Sequence, residues 1–191
     1  MTHTEIVNKV KSILNEHGEV DAVSIGKDRV LLEDYIESAI PDAVIMLAQK
    51  GYAVNVYEFN MAVDSGQDRV ILSGDADFIS LISLQLKGWK VATKTVHSID
   101  SPAYIMAMNP YTGPTASKPF CWDNGYSIMA MPPGEIELGL YNGVYDGANL
   151  YPREEKEATA VCYMTAALVL GMFGDDLGKQ RLSDISTNML Q

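Results

Sequence analysis

The amino-acid sequence predicts an α+β protein, and three observations carry that prediction. Up to Gly51, apolar residues recur at helical spacing. From Tyr52 the period shortens to two and stays short through a long middle region. Beyond Pro152 the helical period returns. Helices gathered at both ends with strands between them argue for segregated layers, against the alternating order of a parallel α/β sheet. The expected organisation is a helical bundle formed by residues 1–51 and 152–191, with 52–151 inserted as a β-rich subdomain of antiparallel hairpins. Each amphipathic stripe must bury itself against another. Ile6, Val10 and Ile13 are therefore expected to pack in one bundle with Leu32, Ile36, Ile40 and Leu47, and with Val161 and Leu168.

The first helix is predicted over "TEIVNKVKSILNEHG". Ile6, Val10, Ile13, Leu14 and His17 fall on one face, Thr4 can cap the start, and Gly18 can end it. The second is "RVLLEDYIESAIPDAVIMLAQKG", whose stripe is Leu32, Ile36, Ala39, Ile40, Ala43 and Leu47, with Gly51 as the stop. Pro41 lies inside it. A proline removes one helical hydrogen bond and crowds the preceding turn, so a kink or break is expected there.

The strand candidates begin with "YAVNVYEF" and "RVILSG". "FISLISLQL" and "WKVATKTV" follow as a hairpin around Lys87-Gly88. "KPFCW" and "YSIMAM" flank Asp123-Asn124-Gly125, and an Asn-Gly pair between strand phrases is a strong hairpin signal. Glu135–Leu140 and Gly143–Tyr145 complete the run. "SPAYIMAM" reads as a short helix with Ser101 as cap and Pro102 at its first position. "REEKEATAVCYMTAALVLGMFG" opens with acids, which suit a helix N-terminus, and "DDLGKQRLSDISTNMLQ" gives a final short helix or tail.

Composition excludes some functions. The formal net charge is −11 and no cluster of Lys and Arg exists. A protein that grips nucleic acid must replace counterions with such clusters, so affinity for DNA or for an anionic membrane is disfavoured. Acidity also suits a surface that DNA slides past without sticking. The two cysteines, Cys121 and Cys162, form no CxxC pair and fit a chain made in a reducing cytosol. "MTHTEIVNKV" lacks the pattern of a signal peptide. The apolar stretch Ala158–Gly174 is flanked by charges and reads as a buried helix, not a membrane span.

The sequence carries few groups arranged for chemistry. His3, His17 and His97 have no partners at metal-ligand spacing. "GPTASK" lacks the second glycine of a phosphate loop and runs into Pro119, so it reads as a flexible connector. Asp75 and Asp77 fit a solvated turn, and Asp175-Asp176 a solvated terminus. Met106, Met108, Met129 and Met131 suit either core packing or an adaptable interface. Trp89 and Trp122 flank turns and are candidate sheet anchors or contact residues. "NPYTGPTASK", 109–118, has too little apolar bulk to build a core and is expected to be exposed and to make contacts. The candidate contact residues are Asn109, Tyr111, Thr112, Lys118, Trp89 and Trp122. No catalytic, metal-binding or cofactor-binding residue is predicted.

"GDADFISLISLQLKGW", with "SPAYIMAMNPYTGPTASKP" behind it, resembles the neck proteins of short-tailed bacteriophages, especially crAss-like phages. Asp77, Phe78 and Leu81 match the first part of the family pattern, and Trp89 matches the turn. Ser101, Pro102 and Tyr104 match the short helix; Asn109, Lys118 and Pro119 match the loop. The chain departs from the pattern in lacking a proline near Gly74 and in carrying Ser80 where the family has arginine. The resemblance covers mainly residues 69–131 and extends loosely to "EIVNKVKSILNE" and the second helix. It implies a non-enzymatic virion protein without cofactors, a head-to-tail adaptor assembled as a twelve-fold ring beneath the portal protein. Its implied partners are the portal, neighbouring neck or tail ring proteins, and passing genomic DNA held without specific binding, with no membrane. The implied location is the portal vertex of a virion made in a bacterial cytoplasm. The alternatives are another virion component (a head-fibre, cargo or tail-hub protein) and a small enzyme.

Overall fold

The computed structural model of the chain describes residues 1–16, 29–58, 69–70, 77–94, 96–123 and 128–191. His17, Gly18, Asp75 and the Asn124-Gly125 turn lie outside them, as does most of "RVILSG". The described elements run α1 (His3–Glu16), α2 (Arg29–Gln49), β1 (Val56–Glu58), β2 (Arg69–Val70), β3 (Phe78–Leu86), β4 (Val96–Ser98), α3 (Pro102–Ala107), β5 (Phe120–Asp123), β6 (Ile128–Met131), β7 (Ile136–Gly143), α4 (Glu155–Met172) and α5 (Asp176–Asn188). Helices at the two ends enclose a middle of strands, an α+β arrangement. The chain divides into two units: Met1–Val56 with Gly143–Gln191, and Tyr57–Asn142.

In the first unit, α4 is the central helix and packs against α1, α2 and α5. Its sequence explains that position. From Ala158 to Leu170 nearly every side chain is buried, so it needs neighbours on several sides. α1 contributes Ile6, Val7, Val10, Ile13 and Leu14. α2 contributes Ile36, Ala39, Ile40, Ala43, Val44, Leu47 and Ala48, all fully buried. Both ends of the chain thus build one bundle, and α2 runs through Pro41 without a break. The apolar side chains on either side of the proline are locked into the core, and that packing outweighs the single missing hydrogen bond.

The caps show how local chemistry sets the ends. α1 starts two residues earlier than Thr4 would place it. Thr2 is the cap: its Oγ1 accepts from the Glu5 N–H, and the Glu5 carboxylate accepts from the Thr2 N–H at 2.8 Å. At the start of α4, the Glu157 carboxylate accepts from the Glu154 N–H at 2.7 Å and closes a reciprocal capping box. Asp175 ends the α4–α5 turn by accepting from the Gly178 N–H at 2.9 Å. The Asp175-Asp176 pair is thus the start of a helix of 13 residues. The segment after β7 is held in this unit by Asn55, a fully buried side chain. Its amide donates to the carbonyls of Gly143 (3.0 Å) and Val144 (3.2 Å) and accepts from the Tyr151 N–H (3.1 Å).

The second unit holds most of a three-stranded sheet, β1-β7-β3, and the four-stranded sheet β2-β6-β5-β4. β5 and β6 form an antiparallel pair in which Cys121 faces Ala130 and Trp122 faces Met129. β2 adds to β6 antiparallel, whereas β4 adds to β5 parallel, so among the described strands only β5 and β6 pair as a hairpin of consecutive strands, and the expected series of hairpins is replaced by pairings between distant strands. Among the described residues, the hairpin expected around Lys87-Gly88 shows one bridge, between Leu84 and Thr93. Gly88 turns the chain with φ +93°, and Trp89 then points inward instead of continuing a ladder. Leu81, Leu84, Leu86, Trp89, Cys121, Ile128 and Ala130 form this unit's core.

Candidate functional site

The Ser101–Pro119 stretch is built on aromatic rings. Ser101 has extended backbone angles, and its Oγ accepts from the Tyr104 N–H at 3.2 Å, which caps α3 ahead of Pro102. From that helix, Ala107 is buried and Tyr104 meets Trp122 edge-on, with ring centroids 5.6 Å apart. Trp122 stacks on Phe120 at 5.9 Å, and Phe120 stacks on His97 at 5.1 Å. Strand alternation places Phe120 and Trp122 on one face of β5, and the parallel register sets His97 beside them. Pinned from below in this way, α3 turns its other side outward. Ile105 is 69% exposed and Met106 67%.

The chain beyond α3 is exposed, yet tied at several points. The Asn109 Oδ1 accepts from the Tyr111 N–H at 2.9 Å, and the Thr112 hydroxyl donates to the Met106 carbonyl at 3.0 Å. Thr115 and Lys118 exchange both backbone hydrogen bonds, at 3.2 and 2.8 Å, and the Lys90 N–H donates to the Ala116 carbonyl at 2.8 Å. Within "GPTASK", Thr115 and Lys118 thus close a hydrogen-bonded turn. At its tip Tyr111 is 95% exposed.

The six residues singled out in the sequence separate into two groups. Asn109, Tyr111, Thr112 and Lys118 lie on the surface of this one loop. Trp89 and Trp122 are 5% and 4% exposed and belong to the interior of their own unit. Trp89 donates its indole N–H to the Pro132 carbonyl at 2.8 Å. The sequence could not separate these roles, because a tryptophan beside a turn fits either. Of the four methionines, Met106 and Met108 are exposed and Met129 and Met131 half-buried in β6. Ile105, 69% exposed on α3 beside Met106, was not foreseen. The available signal was the absence of any charged residue from 101 to 117 in a strongly acidic chain.

Elsewhere, polar groups serve structure. His3 Nδ1 lies 3.0 Å from the Tyr145 hydroxyl, and its Nε2 is 3.5 Å from a Glu37 carboxylate oxygen. That contact ties the first turn of α1 to α2 and to the segment after β7. Burial, with the Asp146 and Glu37 carboxylates adding to it, pushes the Tyr145 phenol up to about 12. The thiols of Cys121 and Cys162 are pushed up by burial to about 12 and about 11, which keeps them protonated and poorly nucleophilic. Among the described residues, no three His, Cys, Asp or Glu side chains gather as a metal site would require. Among them also, no helix is long and apolar enough to cross a membrane. No family model matches the chain, and no curated protein matches it.

Proposed function

We propose that this chain is a structural protein of a bacteriophage virion, a subunit of the neck ring that joins the portal to the tail. It works by contact and performs no catalysis. The observation that carries the reading is the Asn109–Lys118 loop. It lies in the stretch that resembles the neck proteins, it is exposed, and its internal hydrogen bonds hold it in shape. A loop shaped before it meets a partner loses little freedom on binding, which suits repeated contacts around a ring. Head-to-tail contacts between identical subunits close when the rotation between them allows it.

Charge bears on assembly. Subunits that each carry −11 repel one another when gathered in one ring. The isolated chain is therefore mainly monomeric at low salt, and the ring forms on the portal or a neighbouring ring as template. The acidic excess faces the DNA channel or solvent and leaves the subunit seams clear.

Electron microscopy of the intact particle tests the reading. The expected result is a twelve-fold ring of this chain at the portal vertex, matched by a fixed copy number in the particle's protein composition. Absence of the chain from the portal vertex would overturn it. Light scattering with and without portal tests template dependence, which a stable ring from the lone chain at low salt would refute.

A further inference from the structure

We infer that α3 and the turn that follows it form a docking face for a second copy of this chain, centred on Ile105, Met106, Met108 and Tyr111. The inference rests on the neck-ring reading for its biological setting. Its physical basis is independent of that reading.

Three observations converge on the face. The first is area. Ile105 is 69% exposed, Met106 67%, Met108 40% and Tyr111 95%. Taking about 200 Å² for each of these residues when fully exposed, they present on the order of 500 Å². One partner in a standard interface buries about 800 Å². The patch supplies a large part of one side of such an interface.

The second observation is rigidity. Tyr104 rests edge-on against Trp122, Ala107 is buried, and the Thr112 hydroxyl closes back on Met106. The exposed side chains thus stand on a fixed backbone, so docking has little left to order except their rotamers. Tyrosine is a frequent anchor of interfaces, and methionine adapts its shape to what it meets.

The third observation is charge, and it selects the occupant. No residue from 101 to 117 is charged, although the chain as a whole carries −11. A basic partner would be gripped through acidic side chains, and the 101–117 segment supplies none. Another copy of the same acidic chain faces the opposite problem. Approach along most surfaces would bring like charges together, and an uncharged apolar face reduces that cost locally. Long-range repulsion between the two bodies remains and is screened by salt.

Association should therefore strengthen with added salt. The test uses the full chain in sedimentation velocity at several protein concentrations, from about 20 to about 500 mM NaCl, where the Debye length shrinks below 10 Å. The wild-type chain is expected to move from monomer toward dimer or larger species as salt rises. The double variant Met106→Glu, Tyr111→Asp is expected to weaken that association at least about tenfold, as loss of an interface anchor does. Both side chains point to solvent, and circular dichroism checks that the variant is folded. Equal association of variant and wild type would overturn the proposal, as would a wild-type chain that stays monomeric at every salt and concentration.

A photo-crosslinking residue in place of Tyr111 identifies the occupant. Cross-links to a second copy, in solution and in assembled particles, support the proposal. Cross-links only to a different virion protein overturn it while leaving the neck-ring reading intact. A chain that self-associates through this face but is missing from the portal vertex would overturn the neck-ring reading alone.

Discussion

Replacing Trp89 by Phe separates a folding role from a contact role. The indole is 5% exposed and donates to the Pro132 carbonyl at 2.8 Å. Phenylalanine keeps an aromatic ring in the site but loses the donor and some volume. The lost hydrogen bond, with a part-buried carbonyl left unpaired, costs about 1–2 kcal/mol. The smaller ring leaves roughly 40 Å³, worth about 1 kcal/mol at the usual cavity cost. The sum is about 2–3 kcal/mol, or a fall in melting temperature of at least about 8 °C for a unit of this size. Both tryptophans lie in the Tyr57–Asn142 unit, so the remaining Trp122 reports by fluorescence on that unit. Circular dichroism at 222 nm follows mainly the helices. The expected result is an early fluorescence transition. A loss below about 0.5 kcal/mol would refute the argument and return Trp89 to the list of surface contacts.

Two further outcomes follow from the helical unit. Pro41→Ala should stabilise it by about 1–2 kcal/mol: a mid-helix proline costs about 3 kcal/mol, offset by the freer unfolded chain and by part of the half-buried ring. Urea titration followed by circular dichroism measures this, and destabilisation would show that the bundle is fitted to the proline's geometry. Stability should also fall as pH rises from about 9 to about 12. The folded chain keeps Cys162 and Tyr145 neutral to about 11 and about 12, while the unfolded chain ionises them from 9.0 and 10.0. Their contribution is complete below pH 9 and disappears as the folded values are passed. Tyr145→Phe should flatten the upper part of the fall in urea midpoint, and an identical profile would count against Tyr145 as its source.

The fold class was legible because it depends on period. Side chains three and four apart share a helix face, and alternate residues share a strand face, whatever lies elsewhere in the chain. That is why the positions of α1, α2, β3 and α4 and the cap at Ser101 could be read locally. The exposure of Asn109, Tyr111, Thr112 and Lys118 was legible too, since proline, glycine and small polar residues cannot fill a core. Pairing between distant segments was beyond such reading. The parallel register of β4 on β5, the inward turn of Trp89 at the expected hairpin, and the grip of Asn55 on Gly143, Val144 and Tyr151 all join residues far apart in sequence. Local propensity carries no information about such partners. The continuity of α2 through Pro41 is decided in the same place, by apolar neighbours from other helices that the proline's own sequence context does not reveal. The sequence by itself determined the order of helices and strands and the exposure of the loop. Only tertiary packing decided that both tryptophans went inside and left Ile105 and Met106 facing out, because burial depends on what the rest of the chain brings to each side chain.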